Sequence, residues 1–141
     1  MIMRVIKFRG WDVIGKKWVY GDLVHNQKVT QTGLEPRVMV GGYEVDPESV
    51  GMCIGKRDDG GEILYEGDIC SITCFGSLFY ASIVYVEPKA SFFYSDVRFH
   101  GEACGTYPIS YASTCRKCGT MYESRGSIHK YLGRKCLISK L

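Results

Sequence analysis

The stretch Leu64-Tyr65-Glu66-Gly67-Asp68-Ile69-Cys70-Ser71-Ile72 decides the fold. It reads as a tight Gly-Asp corner that opens directly into a strand. Gly67 supplies the backbone freedom of the corner. Asp68 is placed to fold its carboxylate back on neighbouring backbone N–H groups. From Ile69 the side chains alternate in direction, which puts Cys70, Ile72 and Cys74 on one face.

Downstream of this corner, Phe75-Gly76-Ser77 turns the chain into residues 78–87, the most strand-like run of the sequence. Phe79, Ala81, Ile83 and Tyr85 share one face of that run, while Val84 and Val86 make the other face apolar too. A strand covered on both sides fits a barrel wall or a subunit interface. Pro88 ends it, and residues 91–99 read as the next strand, with Val97 and Phe99 on one face and Asp96 and Arg98 on the other. Residues 100–119 show no clear period and read as a long loop or irregular hairpin. Residues 121–132 have a helical pattern interrupted by Gly126, and 135–139 resemble a closing strand.

Upstream, residues 4–11 and 17–25 form a predicted hairpin around the turn Asp12-Val13-Ile14-Gly15-Lys16. Residues 26–42 are polar, contain Pro36, and read as loop with one short strand at 38–40. Asp46-Pro47-Glu48-Ser49 predicts a single helical turn, with Asp46 as N-cap and Pro47 at the first helical position. Asp59-Gly60 marks another hairpin, because both residues tolerate positive φ.

The expected fold class is therefore all-β, mostly antiparallel with short strands, with SH3-type small-barrel parts and little helix. Seventeen Gly, ten Tyr and six Phe in 141 residues suit many short strands joined by turns. The chain reads as one unit over 1–141, divisible into two β-subdomains: a β-hairpin region at 1–50 and an SH3-like barrel region with the C-terminal segment at 51–141. Seven Cys, a start without the apolar run of a signal peptide, and no segment of membrane-spanning length predict a reduced, cytoplasmic protein with no membrane partner.

The net charge of +3 is too mild to imply nucleic acid. Its distribution is uneven. Residues 43–70 carry eight acidic and two basic side chains, whereas 115–141 carry seven basic and one acidic. The favoured reading is that the two segments lie against each other, within one chain or between subunits. The alternative is a basic C-terminal patch for an anionic partner.

Three blocks resemble the YopX family of phage and prophage proteins. They are Ile6-Lys7-Phe8-Arg9-Gly10-Trp11-Asp12 with Lys17-Trp18-Val19-Tyr20-Gly21-Asp22-Leu23, then Tyr43-Glu44-Val45-Asp46-Pro47-Glu48-Ser49-Val50-Gly51, then the run from Ile54 through Lys56-Arg57-Asp58-Asp59-Gly60-Gly61-Glu62 to Ile69. All lie N-terminal of Cys70, and the closing Cys136-Leu137-Ile138-Ser139 only partly echoes the family's end. The resemblance implies an all-β fold with SH3-type barrel parts, carried by a mobile element in a bacterial cell. The family is one of unknown function, so no site residue is carried over.

No catalytic constellation stands out. Cys115-Arg116-Lys117-Cys118-Gly119 has the form of a zinc knuckle, and His100 and Cys104 are the residues that would complete four ligands. Structural zinc usually uses two matched knuckles, and only one is present, so no metal or cofactor is assigned. His25, His100 and His129 are scattered. Asp58-Asp59-Gly60-Gly61-Glu62 lacks the alternating ligands of a calcium loop and fits a hairpin turn better. Trp11, Trp18, Tyr20, Phe79, Tyr80 and Phe93 fit a barrel core better than a base-stacking platform. The expected role is non-enzymatic, by assembly or partner binding. A homo-oligomer using residues 78–87 and an unknown protein partner are favoured over a nucleic-acid-binding module.

Overall fold

The computed structural model describes residues 6–99 and 105–124 and divides into two compact units, Met1–Gly55 and Lys56–Leu141. It is mostly antiparallel β-sheet, and among the described residues the only α-helix is the four-residue α1, Met121–Ser124.

In the first unit, β1 (Phe8–Asp12) and β2 (Lys17–Gly21) form a hairpin with Phe8 opposite Gly21 and Asp12 opposite Lys17. Its turn is fixed by Asp12, whose Oδ1 accepts the N–H groups of Ile14 and Gly15 at 3.1 and 3.0 Å. β3 (Leu23–Thr30) and β4 (Gly33–Val40) make a second, longer hairpin, and β5 (Tyr43–Glu44) adds briefly to β4. The start of β6 (Gly51–Arg57) pairs with β1 through Met52 opposite Phe8.

The 3₁₀ turn Pro47–Ser49 follows its sequence signature: the Asp46 side chain accepts the Glu48 N–H at 3.0 Å and Pro47 opens the turn. Buried Ser49 then ties this turn to β1, accepting the Trp11 N–H at 2.7 Å and donating to the Asp46 carbonyl at 2.6 Å. Val19, Val40 and Val45 form the small core, packed by Phe8, Leu23, Val38 and Val50. Gly10 lies under Val45 so closely that a methyl group there would sit 2.8 Å from its side-chain carbons.

In the second unit, β7 (Ile63–Tyr65) leads through the Gly67 corner into β8 (Asp68–Cys74), then β9 (Ser77–Val86), β10 (Ser91–Asp96), β11 (Thr106–Pro108) and β12 (Ala112–Thr120). The last five make one antiparallel sheet in the order β11-β10-β9-β8-β12. The sheet curls: Tyr94 on β10 reaches Cys115 on β12, two strands beyond its own neighbour β9. The concave side holds Cys70, Ile72, Cys74, Phe79, Ala81, Ile83 and Tyr94, all buried. On the other side, Ile69 and Val97 pack with Tyr80 and Met121.

The corner is built as its sequence suggests. Gly67 has φ +92, and the Asp68 carboxylate accepts the Tyr65 N–H at 2.8 Å. The Gly67 N–H donates to Ile83 and its carbonyl accepts from Met121, at 2.8 and 2.7 Å. Asp68 is fully buried and holds Lys117 Nζ at 3.2 Å.

Four expectations are corrected. Residues 26–42 are not a loop with a short strand: 23–40 form a full two-stranded ribbon. Its polar side chains hid it, because both faces are largely solvated and no apolar alternation is needed. Pro36 is tolerated because β5 pairs only with Met39 and Val40, leaving β4 a free edge at Pro36. Residues 105–119 are likewise not mainly loop, since β11 holds Thr106–Pro108 and β12 runs from Ala112 to Thr120. Register shifts after Ala112 and Lys117 break its period. The strand expected at 91–99 stops at Asp96, where Oδ1 accepts the Arg98 N–H at 3.0 Å and starts the 3₁₀ turn Val97–Phe99. The 58–62 turn takes its positive φ at Gly61, not at Asp59 or Gly60. The helical reading of 121–132 is met over Met121–Ser124, and its remainder and the strand expected at 135–139 lie outside the described residues.

Candidate functional site

Two features stand out chemically, one in each unit. The first is the β3–β4 ribbon. Val29 and Leu34 face each other near its tip and are 84% and 64% exposed. Val24 is exposed on the same ribbon, and Val13, Ile14 and Tyr43 are exposed elsewhere in the unit, Ile14 at 95%. The ribbon's polar groups largely serve each other. Arg37 Nε donates to Asn26 Oδ1 at 2.7 Å, and Lys28 Nζ bridges Glu44 at 2.8 Å. Lys28 and Glu44 line, with Val13, Ile14 and Val45, an open cavity of about 170 Å³. A surface of this kind suits contact with another apolar surface and carries no group arranged for chemistry.

The second feature is a buried sulfur cluster in the second unit. The Tyr94 hydroxyl donates to Cys115 Sγ at 3.1 Å, and Cys70 lies buried on the neighbouring strand β8. Donation from Cys70, partly opposed by burial and aided by Tyr94, lowers the Cys115 pKa to about 7. The same contact and burial push Cys70 up, burial and the Cys115 contact push Tyr94 up, and burial alone raises Cys74. Cys115 is the acidic member because two donors converge on it, a standard cause of thiolate stabilisation. It is 3% exposed, so no substrate reaches it in this state.

The outer edge of β12 is covered by the 58–62 turn. Asp59 Oδ2 accepts the Cys115 N–H and Asp58 Oδ2 the Lys117 N–H, both at 2.9 Å. The carboxylate of Asp58 also accepts from Gly60 and Glu62 at 2.9 and 2.8 Å. These acids are spent on backbone amides, as a structural turn requires. They also meet the basic segment directly, in the Lys117–Asp68 pair and in the Arg116 charge felt by Asp58. The acidic and basic segments thus face each other within this unit at the described positions.

Cys115 and Cys118 are not set in a knuckle turn. Both lie on strand β12, Cys115 turned inward and Cys118 exposed with its Sγ donating to the Ile69 carbonyl at 3.3 Å. A knuckle needs a tight turn that converges two sulfurs, and an extended strand separates them. His100 and Cys104 lie outside the described residues, as does His129. Among the described residues no group of three or more His, Cys, Asp or Glu is placed to hold a metal. His25 is exposed on the ribbon.

Of the aromatics expected in a core, Phe79 is buried and Trp11, Trp18, Tyr80 and Phe93 are half-buried. Tyr20 is 47% exposed, with Lys7 over its ring. Trp11 and Trp18 meet edge to face at 5.2 Å, and Arg9 stacks on Trp18 at 4.6 Å. Sequence reasoning missed Tyr94 as the centre of the second unit, and it missed an aromatic group at Phe75, Tyr107 and Tyr111. Its available signal was Phe75-Gly76, a turn whose first position normally takes Asn or Asp.

The chain matches no protein-family model and no curated protein. Among solved structures it is similar to protein EF1440 from Enterococcus faecalis, with 18% identity over 89% of this chain and 99% of that one, at a TM-score of 0.50. At that identity the likeness is one of fold. It supports the architecture alone.

Proposed function

We propose that this protein acts by assembly, as a non-enzymatic binding protein whose contact element is the β3–β4 ribbon and whose partner is a second copy of the chain. The observation that carries the reading is the exposed Val29–Leu34 pair on a two-stranded ribbon. Isolated ribbons of this kind gain stability when a further surface covers them, and an open strand edge invites pairing. Closed two-fold pairing is the commonest solution. The strand at 78–87 is a weaker candidate, because β8 and β10 take both of its edges and Tyr80 packs against Ile69, Val97 and Met121.

The setting we propose is the reducing cytoplasm of a bacterial host, for a YopX-like protein of a phage, prophage or other mobile element. Five described cysteines are free thiols, which suits that compartment. Among the described residues no helix is long and apolar enough to cross a membrane. The nucleic-acid alternative draws less support, since Lys117 of the basic segment is already engaged by Asp68.

The test is light scattering over a range of concentration, with the double variant Val29→Lys/Leu34→Lys. The expected result is a dimer that the variant converts to a folded monomer. A wild-type monomer at every concentration overturns the reading, and a gel shift that collapses with added salt would favour nucleic acid instead.

A further inference from the structure

At one end of the curled sheet, β11 comes beside the β8–β9 turn. The Tyr107 ring lies 5.3 Å from Phe79 and 6.3 Å from Phe75, and Tyr111 meets Phe75 edge to face at 5.7 Å. This is not an ordinary core. Phe75 is 77% exposed and Tyr111 55%. Phe75 and Gly76 form a two-residue hairpin turn with φ +50 and +79, a geometry in which the first position favours Asn, Asp or Gly. A bulky aromatic in the left-handed region is a strained choice, and such strain concentrates where a side chain must be presented.

The chemistry of the surroundings narrows the occupant. Residues 69–86 and 105–115, which carry the aromatic group, include no Asp, Glu, Lys or Arg, although 23% of the chain is charged. A phosphate backbone draws its affinity from Lys and Arg, which these segments lack. The group offers instead ring faces and edges, and among the described residues neither the Tyr107 nor the Tyr111 hydroxyl has a hydrogen-bond partner. Aromatic grooves with polar tips recognise neutral, preformed polyproline II segments: the rings take the pyrrolidine faces and the hydroxyls donate to backbone carbonyls that have no N–H of their own to satisfy them.

We propose that Phe75, Tyr107 and Tyr111 form a docking site for a proline-rich segment of a partner protein. These three residues belong to the second unit and the ribbon to the first. The ribbon variant Val29→Lys/Leu34→Lys is therefore expected to bind as wild type does, and failure of either reading leaves the other standing.

The test is a titration with acetylated, amidated decaproline, followed by amide and aromatic NMR shifts, beside a parallel titration with a ten-nucleotide oligothymidylate. Saturable shifts confined to the 75–79 and 106–112 segments are expected with decaproline alone. Phe75→Asn, which suits the turn better and so keeps the fold, should weaken binding about tenfold, the equivalent of losing one good ring contact. Tyr111→Phe should weaken it less, by removing only the hydroxyl. The proposal is overturned by the absence of saturable decaproline shifts, by equal binding to Phe75→Asn, or by shifts at these residues with oligothymidylate but not decaproline, which would assign the rings to base stacking.

Discussion

Asp59 and Cys115 hold each other by two hydrogen bonds running in opposite directions: the Asp59 N–H donates to the Cys115 carbonyl, and the Cys115 N–H donates to Asp59 Oδ2, both at 2.9 Å. One turn residue thus imitates a neighbouring strand. With Asp58 Oδ2 on the Lys117 N–H, the turn covers the outward edge of β12, the terminal strand of the sheet. An uncovered edge is a template for pairing with another chain.

Asp59→Ala is expected to cost about 1–3 kcal/mol, because it leaves the N–H of a buried residue without its charged acceptor. It also uncovers the edge. Urea denaturation should show the loss, and light scattering should show new concentration-dependent aggregation. A variant as stable and as soluble as wild type would mean that water serves the Cys115 amide equally well.

Asp58 gives the same turn an acid limit. Burial raises its pKa, but N–H donation from Lys117, Glu62 and Gly60 and the Arg116 charge outweigh burial, so the net shift is downward. A folded pKa below the unfolded one means that its stabilisation is present above the ordinary carboxylate range and is lost as pH falls through the folded value. Asp58→Asn keeps one acceptor oxygen and removes the charge. Its stability should fall at neutral pH and show a shallower decline on acidification. Parallel wild-type and variant curves down to pH 2 would place the acid-sensitive group elsewhere.

The corner glycine carries a simpler expectation. Gly67 sits at φ +92, where a β-branched residue is penalised. Gly67→Val should therefore destabilise by about 1 kcal/mol or more. The same backbone joins β8 to Ile83 and Met121, so hydrogen exchange at the Gly67 and Met121 amides should accelerate as well. An unchanged melting temperature would show that the corner relaxes into ordinary dihedrals.

What the sequence made legible follows from where each segment gets its stability. The corner at 64–72, the cap at Asp46 and the strand at 78–87 are determined locally, by a glycine, a capping carboxylate or a run of apolar side chains, and each stands where it was expected. The ribbon at 23–40 and strand β12 are determined by partners. Residues such as Gln27 and Lys28 or Thr114 and Arg116 have no apolar rhythm, and they are extended because Pro36 and Glu35, or Thr73 and Ser71, lie opposite. The site was less legible for the same reason. Cys70 and Cys115 lie on the neighbouring strands β8 and β12, and the curl of the sheet brings Tyr94 of β10 to them. Spacing along the chain suggested pairing Cys115 with Cys118, whereas the fold brings it to Tyr94.

That cluster predicts an alkaline dome in stability. Cys115, lowered to about 7 from its ordinary 9.0, contributes stabilisation that is fully present above the unfolded value and is lost as pH falls through the folded one. Stability should therefore climb between about pH 7 and pH 9. Cys70, Cys74 and Tyr94 are shifted upward, so their contribution is present below their unfolded values and is lost as pH rises past them. Above pH 9 to 10 the curve should turn down. Tyr94→Phe keeps the ring and deletes one donor to Cys115 Sγ, so the Cys115 pKa should move back toward 9.0 and the climb should shrink. Urea midpoints measured across this range in reducing buffer, with thiolate absorbance followed in parallel, read both effects. A wild-type curve that is flat from pH 7 to 9, or a Tyr94→Phe curve that climbs just as steeply, would show that the Tyr94 hydroxyl does not hold a thiolate at Cys115.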